Sequence, residues 1–89
     1  MIEALTAQGY TKVRQLPDGR WIGLHQMLYT FGLFVDLGRT GYHVHYCYEI
    51  YADALEAVMG WDGVGDPPGP WIKVKSTSED RVGPGAIGG

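Results

Sequence analysis

The spacing of apolar positions changes along the chain, and each change marks an element boundary. Between Met1 and Gln8, Ile2, Ala4 and Leu5 follow helical spacing, and Gly9 is a natural stop, which predicts a short N-terminal helix. From Tyr10 the period drops to two: Thr11, Val13 and Gln15 alternate with Lys12, Arg14 and Leu16, the pattern of a strand. Pro17-Asp18-Gly19-Arg20 then reads as a hairpin turn. With Asp18-Gly19 at its tip, Leu16 faces Trp21 and Val13 faces Leu24. A long apolar stretch from Arg20 to Leu37 follows, and Gly38-Arg39-Thr40-Gly41 turns it onto Tyr42 to Ile50. Pairing Leu37 with Tyr42 sets Val35 against Val44, Leu33 against Tyr46 and Phe31 against Tyr48. One face is then apolar throughout, and the other carries Phe34 against His43, His45 and Cys47.

One conflict interrupts this pattern. Apolar residues fall on even positions at Ile22, Leu24 and Leu28, but on odd positions at Phe31, Leu33, Val35 and Leu37. A straight strand cannot send both sets to one side, so a bulge or bend is expected near Tyr29-Thr30. Helical spacing returns at Tyr51 to Met59, with Leu55, Val58 and Met59 on the inner face, Asp53 in the first turn and Gly60 at the stop. Gly63 to Pro70 is a connector, and Trp71 to Lys75 alternates as a short edge strand. The expected architecture is α+β: a three-stranded antiparallel meander with a short N-terminal helix and a C-terminal helix packed on one face. Residues 1–75 form a single domain, and residues 76–89, rich in Gly, Ser and charge, form a disordered tail.

Composition narrows the class. An 89-residue chain holds one small domain, and 45% hydrophobic residues argue against disorder. A net charge of -3 gives no support for nucleic-acid binding, which favours a basic excess. No apolar run is long enough to span a bilayer, and no secretory leader is visible. The single Cys excludes an internal disulfide framework and suits a reducing compartment. A cytoplasmic protein is expected.

Chemistry-bearing residues are few. His43, His45 and Cys47 lie on one face of a strand, with Glu49 next in the row and His25 on another strand; imidazole and thiolate are good zinc ligands. The ends of the triplet, however, are roughly 13 Å apart at about 3.3 Å per residue, beyond the reach of one ion. The row reads as a polar, partly exposed sheet face. His45 beside Cys47 resembles a nucleophilic dyad, but no oxyanion or phosphate loop accompanies it. The Tyr and Trp residues offer stacking surfaces for a nucleotide, with Lys73, Lys75, Arg14 and Arg39 as phosphate partners, yet large aromatics also fill small cores. The residues therefore predict no enzyme, no metal and no cofactor.

Three stretches carry a wider resemblance. Arg14 to Arg20 leading into Gly23-Leu24, Tyr46 to Glu49 leading into Ala52 to Leu55, and above all Trp61-Asp62-Gly63-Val64-Gly65-Asp66-Pro67-Pro68-Gly69-Pro70-Trp71-Ile72-Lys73-Val74-Lys75 resemble a family of small uncharacterised proteins encoded by bacteriophages and prophages. The resemblance spans roughly residues 10 to 75. It implies a viral protein in the host cytoplasm that binds and inhibits a host or anti-phage defence component, in the manner of anti-CRISPR proteins. The alternative is a small-ligand or nucleotide binder that sequesters a signalling molecule. The expected partner surface is the second sheet face, with Phe34, His43, His45 and Cys47 joined by Trp21 and Met27, and a two-fold homodimer through it is the simplest way to bury it.

Overall fold

The computed structural model describes residues 2–38, 41–76 and 80–82. Among these residues, two helices accompany an antiparallel meander of six strands in which spatial order follows chain order. Helix α1 is Ile2–Ala7, and β1 Thr11–Gln15, β2 Trp21–Gln26, β3 Phe31–Val35 and β4 Val44–Tyr48 follow. Helix α2, Tyr51–Gly60, precedes β5, Trp71–Ser76, and β6, Asp80–Val82.

The meander has more strands than the expected three because the long stretch from Arg20 to Leu37 folds back on itself as β2 and β3, and because β5 and β6 extend the sheet beyond β4. Gln26 pairs with Phe31, and the Met27 N–H donates to the Thr30 carbonyl at 2.8 Å, closing a loop over 27–30. Ile22 then faces Val35 and Leu24 faces Leu33, so even positions of β2 and odd positions of β3 share one side. The parity conflict in the sequence marks this reversal. Leu28, expected inside, projects from the loop.

The β3–β4 register is the one read from the sequence: Phe31–Tyr48, Leu33–Tyr46 and Val35–Val44 are paired. Gly38 and Gly41 oppose each other as an isolated bridge, while Arg39 and Thr40 lie outside the described residues. The β1–β2 register differs from expectation by one residue, with Gln15 opposite Trp21 and Arg14 opposite Ile22. Proline at 17 and a left-handed Gly19 (φ 98°) make the connection three residues long, and the Leu16 N–H bonds the Arg20 carbonyl at 2.7 Å. A further irregularity between Thr11 and Arg14 accompanies left-handed Lys12 (φ 53°). Past it, Val13 packs beneath α1 while Arg14 turns to α2.

The larger core lies between the sheet and α2. It joins Ile22, Leu24, Leu33, Val35, Tyr46, Tyr48 and Val74 of the sheet to Ala54, Ala57 and Val58 of the helix. Burying each large aliphatic side chain there contributes about 1.5–3 kcal/mol. The inner face of α2 departs from the expected Leu55, Val58 and Met59. Alanines at 54 and 57 let the helix backbone approach the sheet, Leu55 is half-buried, and Met59 is exposed. The smaller core lies under α1, where fully buried Leu5 meets Phe34 and Leu37. So short a helix is unstable alone and depends on that contact. Leu37 was expected beside Val35; left-handed Asp36 (φ 61°) turns it to the opposite side.

The sequence also predicts a disordered tail from Ser76. The structure instead ends β5 at Ser76 and adds β6, pairing Lys73 with Val82 and Lys75 with Asp80. A polar, alternating segment with little to bury can still satisfy its backbone along an open sheet edge. The rest of the expected tail lies outside the described residues.

Candidate functional site

The second sheet face gathers most of the residues expected to bind a partner, but it turns them inward. His25 of β2 lies opposite Gly32 of β3, and Gly23 lies opposite Phe34. The Phe34 ring fills the space left at Gly32, and Val13 and Leu37 lie over Gly23. His45 stacks on that ring at 4.6 Å between centroids, and Tyr42 meets both edge-on at 4.7 and 5.1 Å. Tyr10 closes the other side, 5.4 Å from Phe34 and 5.3 Å from His25. Burial, and Tyr42 nearby, push the Tyr10 hydroxyl up from its ordinary value.

The expected contact residues therefore divide. Phe34, His45 and Cys47 are buried; Trp21 and Met27 are half-buried against the α1 core; His43 is exposed. Across the sheet, Cys47 faces Gly32 on one side and Lys73 on the other. A buried thiol lacks the partial exposure that reactive cysteines use. Among the described residues, no three His, Cys, Asp or Glu side chains are grouped to hold a metal ion.

The segment that carries the strongest sequence motif is a strap across the α2 core. The Tyr46 hydroxyl donates to Asp66 at 2.8 Å, Tyr48 to the Pro68 carbonyl at 2.7 Å, and the Trp71 indole to the Pro67 carbonyl at 3.1 Å. Arg20 donates to the Gly63 carbonyl at 2.8 Å while also pairing with Asp18, whose carboxyl it holds below the usual range. Arg14 donates to the carbonyls of Val58 and Trp61, satisfying the C-terminal end of α2. Buried aromatic hydroxyls and indoles need such acceptors, and a Pro-rich segment supplies carbonyls without competing donors. The chemistry of the motif is structural.

The two most exposed large apolar side chains among the described residues lie at one end of the sheet, while Val64, Met59 and Ile2 are exposed elsewhere. Leu28 and Tyr29, at the tip of the 27–30 loop, are 84% and 87% exposed. At the base of that loop the Phe31 ring meets Tyr51 edge-on at 5.3 Å, at the start of α2. Ile50 and Tyr51 are 58% and 41% exposed. Beside them is a depression of about 360 Å³, lined by apolar Leu24, Phe31 and Tyr51 and by polar Thr11, His25 and Gln26. His25 is held in place, with Nδ1 2.9 Å from the Gln26 carbonyl and its ring against Tyr10. Left-handed Gly9 makes room for it, since a Cβ there would lie 2.9 Å from Nε2.

Sequence patterning missed this end. A reversal without Gly, Pro, Asn or Asp reads as continuous strand, and Leu28 and Tyr29 then read as sheet positions. The parity switch was the available signal.

No helix among the described residues is long and apolar enough to cross a membrane. Comparison with protein-family models, curated proteins and solved structures found no match to this chain.

Proposed function

We propose that the chain is a non-enzymatic protein-binding domain that docks through the end formed by the 27–30 loop and Ile50-Tyr51. One observation carries this reading: two large apolar side chains, Leu28 and Tyr29, stand almost fully in solvent on the loop whose base, Phe31, meets Tyr51, and Ile50 and Tyr51 are exposed as well. Single exposed apolar residues are ordinary, but several at one end of a sheet, with tyrosines among them, suit a protein contact. Residues 10–75 resemble bacteriophage and prophage proteins, and because small phage proteins often bind host or defence components, we take the partner to be a host or anti-phage defence component in the bacterial cytoplasm and the role to be inhibitory.

The second sheet face is the weaker candidate surface, because Phe34, His45 and Cys47 are covered within one chain. A homodimer through that face loses the exposed apolar groups that motivated it. The depression beside Tyr51 is a poor nucleotide site, since among the described residues no Lys or Arg lines it to meet a phosphate.

The test is affinity capture from host lysate with the tagged wild-type chain and with a Leu28→Asp/Tyr29→Asp variant, followed by mass spectrometry of proteins and small molecules. The reading expects one stoichiometric protein with wild type and its loss with the variant. Equal recovery by both, or a nucleotide as the sole captured molecule, rejects it.

A further inference from the structure

We infer that the surface formed by Tyr46, Tyr48 and Trp71 reads proline-rich peptide, that residues 66–70 occupy it within the chain, and that a proline-rich segment of a protein partner takes their place. Three successive residues of the strap each meet one donor from the sheet. The Asp66 carboxylate accepts from the Tyr46 hydroxyl at 2.8 Å, the Pro67 carbonyl from the Trp71 indole at 3.1 Å and the Pro68 carbonyl from the Tyr48 hydroxyl at 2.7 Å. These donors stand on adjacent strands, with Tyr48 opposite Trp71 in the β4–β5 register. Tyr46 meets Trp71 edge-on at 5.3 Å and Trp61 at 6.2 Å, so the donors belong to one aromatic cluster. Aromatic rings whose hydroxyls and indoles donate to consecutive carbonyls are suited to proline-rich ligands, because proline offers an acceptor, brings no N–H and loses little freedom on binding.

The strap is attached lightly for a segment that covers a core. Of residues 66–70 only Pro67 is buried, while Asp66, Pro68, Gly69 and Pro70 are exposed. Left-handed Gly63 (φ 91°) and Gly65 (φ 65°) lead into it. Trp71 is held in β5 by its pairing with Tyr48, so all three donors stay on the sheet when residues 66–69 lift. An empty surface strands buried donors, whereas a second segment with equivalent acceptors satisfies them, which favours exchange over simple opening. Being tethered, the strap competes at high effective concentration, and a partner segment binds with an affinity reduced by the fraction of chains in which the strap is away. A weakened strap therefore admits the partner segment more tightly. This contact is separate from the 27–30 end and does not depend on it.

The probe is the peptide Ac-Asp-Pro-Pro-Gly-Pro-NH2, titrated into the 15N-labelled full chain by NMR, with Ac-Asp-Ala-Ala-Gly-Ala-NH2 as the comparison. Pro67→Ala removes the one buried ring of residues 66–70 and keeps its carbonyl. Saturable shifts of the Trp71 indole N–H are expected in both proteins, about tenfold tighter in Pro67→Ala than in wild type, with no saturable response to the alanine peptide. Should Pro67→Ala fail to fold, Asp66→Ala, which removes the Tyr46 acceptor at an exposed position, carries the same expectation. No saturable shift at Trp71, equal affinity for wild type and the weakened chain, or equal binding of the alanine peptide overturns the inference. Shifts confined to residues 27–30 and 49–52 overturn it too and leave the docking reading standing. Sedimentation supplies the remaining arm: a weakened chain that dimerises and ignores the peptide makes a second copy the occupant and rejects a separate partner.

Discussion

At Gly32 the absence of a side chain decides how the second sheet face is filled. A Cβ built there would lie 2.4 Å from Cε1 of Phe34, far inside contact distance. The ring can lie back over β3, under His45, because that position is empty. Gly32→Ala is therefore expected to push the ring off its seat and cost about 1–3 kcal/mol, as overpacking does. Urea denaturation measures the loss, and an unchanged midpoint contradicts the packing described. Tyr48 is a second position where one atom matters. Its fully buried hydroxyl donates to the Pro68 carbonyl, and burial, with Tyr46, Asp53 and Asp66 adding to it, drives its ionisation far above the ordinary tyrosine range. The folded value is raised above the unfolded one, so this contribution is complete below about pH 10 and is lost as pH climbs beyond it. Tyr48→Phe is expected to cost about 1 kcal/mol at neutral pH and to flatten the alkaline fall in stability. An alkaline limb as steep as wild type contradicts this. Alternation alone placed Phe34, His45 and Cys47 on one face. Which residues cover that face was not legible, because Tyr10 and Leu5 reach it from segments with no pattern linking them to β3 and β4.

Elements were most legible where short turns join strongly alternating strands. The β3–β4 register follows from Leu33, Val35, Tyr46 and Tyr48 alone, since a slip by one residue would expose all of them. The β1–β2 hairpin slipped because Pro17 lengthens the turn and Lys12 adds a bulge, neither of which changes the hydrophobic pattern. In α2 the buried face is built largely of small side chains, which carry a weak hydrophobic signal in the sequence. Ala54 and Ala57 face the sheet with Val58, and Met59 does not. Val58→Ala is expected to cost about 2 kcal/mol and Met59→Ala less than about 0.5 kcal/mol, both read by thermal denaturation. Equal costs reject this facing of the helix. The same helix lacks a side-chain cap at Ile50 and takes its C-terminal partners from Arg14. Removing that guanidinium leaves the carbonyls of Val58 and Trp61 without it, so Arg14→Ala is expected to lose about 2 kcal/mol. A lysine at that position, with a single ammonium instead of a fork, restores only part of this. Full rescue by Arg14→Lys contradicts a role in bridging two carbonyls.

Over the described residues, the two cores and the strap account for most large side chains, and the two most exposed apolar ones, Leu28 and Tyr29, stand together on the 27–30 loop. α2 covers one face of the sheet, α1 and its neighbours cover part of the other, and the motif from Trp61 to Trp71 closes the first core through tyrosine, tryptophan and arginine hydrogen bonds. The class, both helices and the central pairing could be read from the chain. The exposed end could not, because it forms only when β2 and β3 separate at an unmarked loop. His43, at the opposite end of β4 from Tyr48, and Tyr29, at the loop tip, thus distinguish the two candidate surfaces. The most direct test is hydrogen-exchange mass spectrometry of the chain free and bound to the protein it captures. The account predicts new protection over residues 27–30 and 49–52, with 42–45 unchanged. Protection over 42–45, with the 27–30 loop exchanging as freely as before, contradicts it.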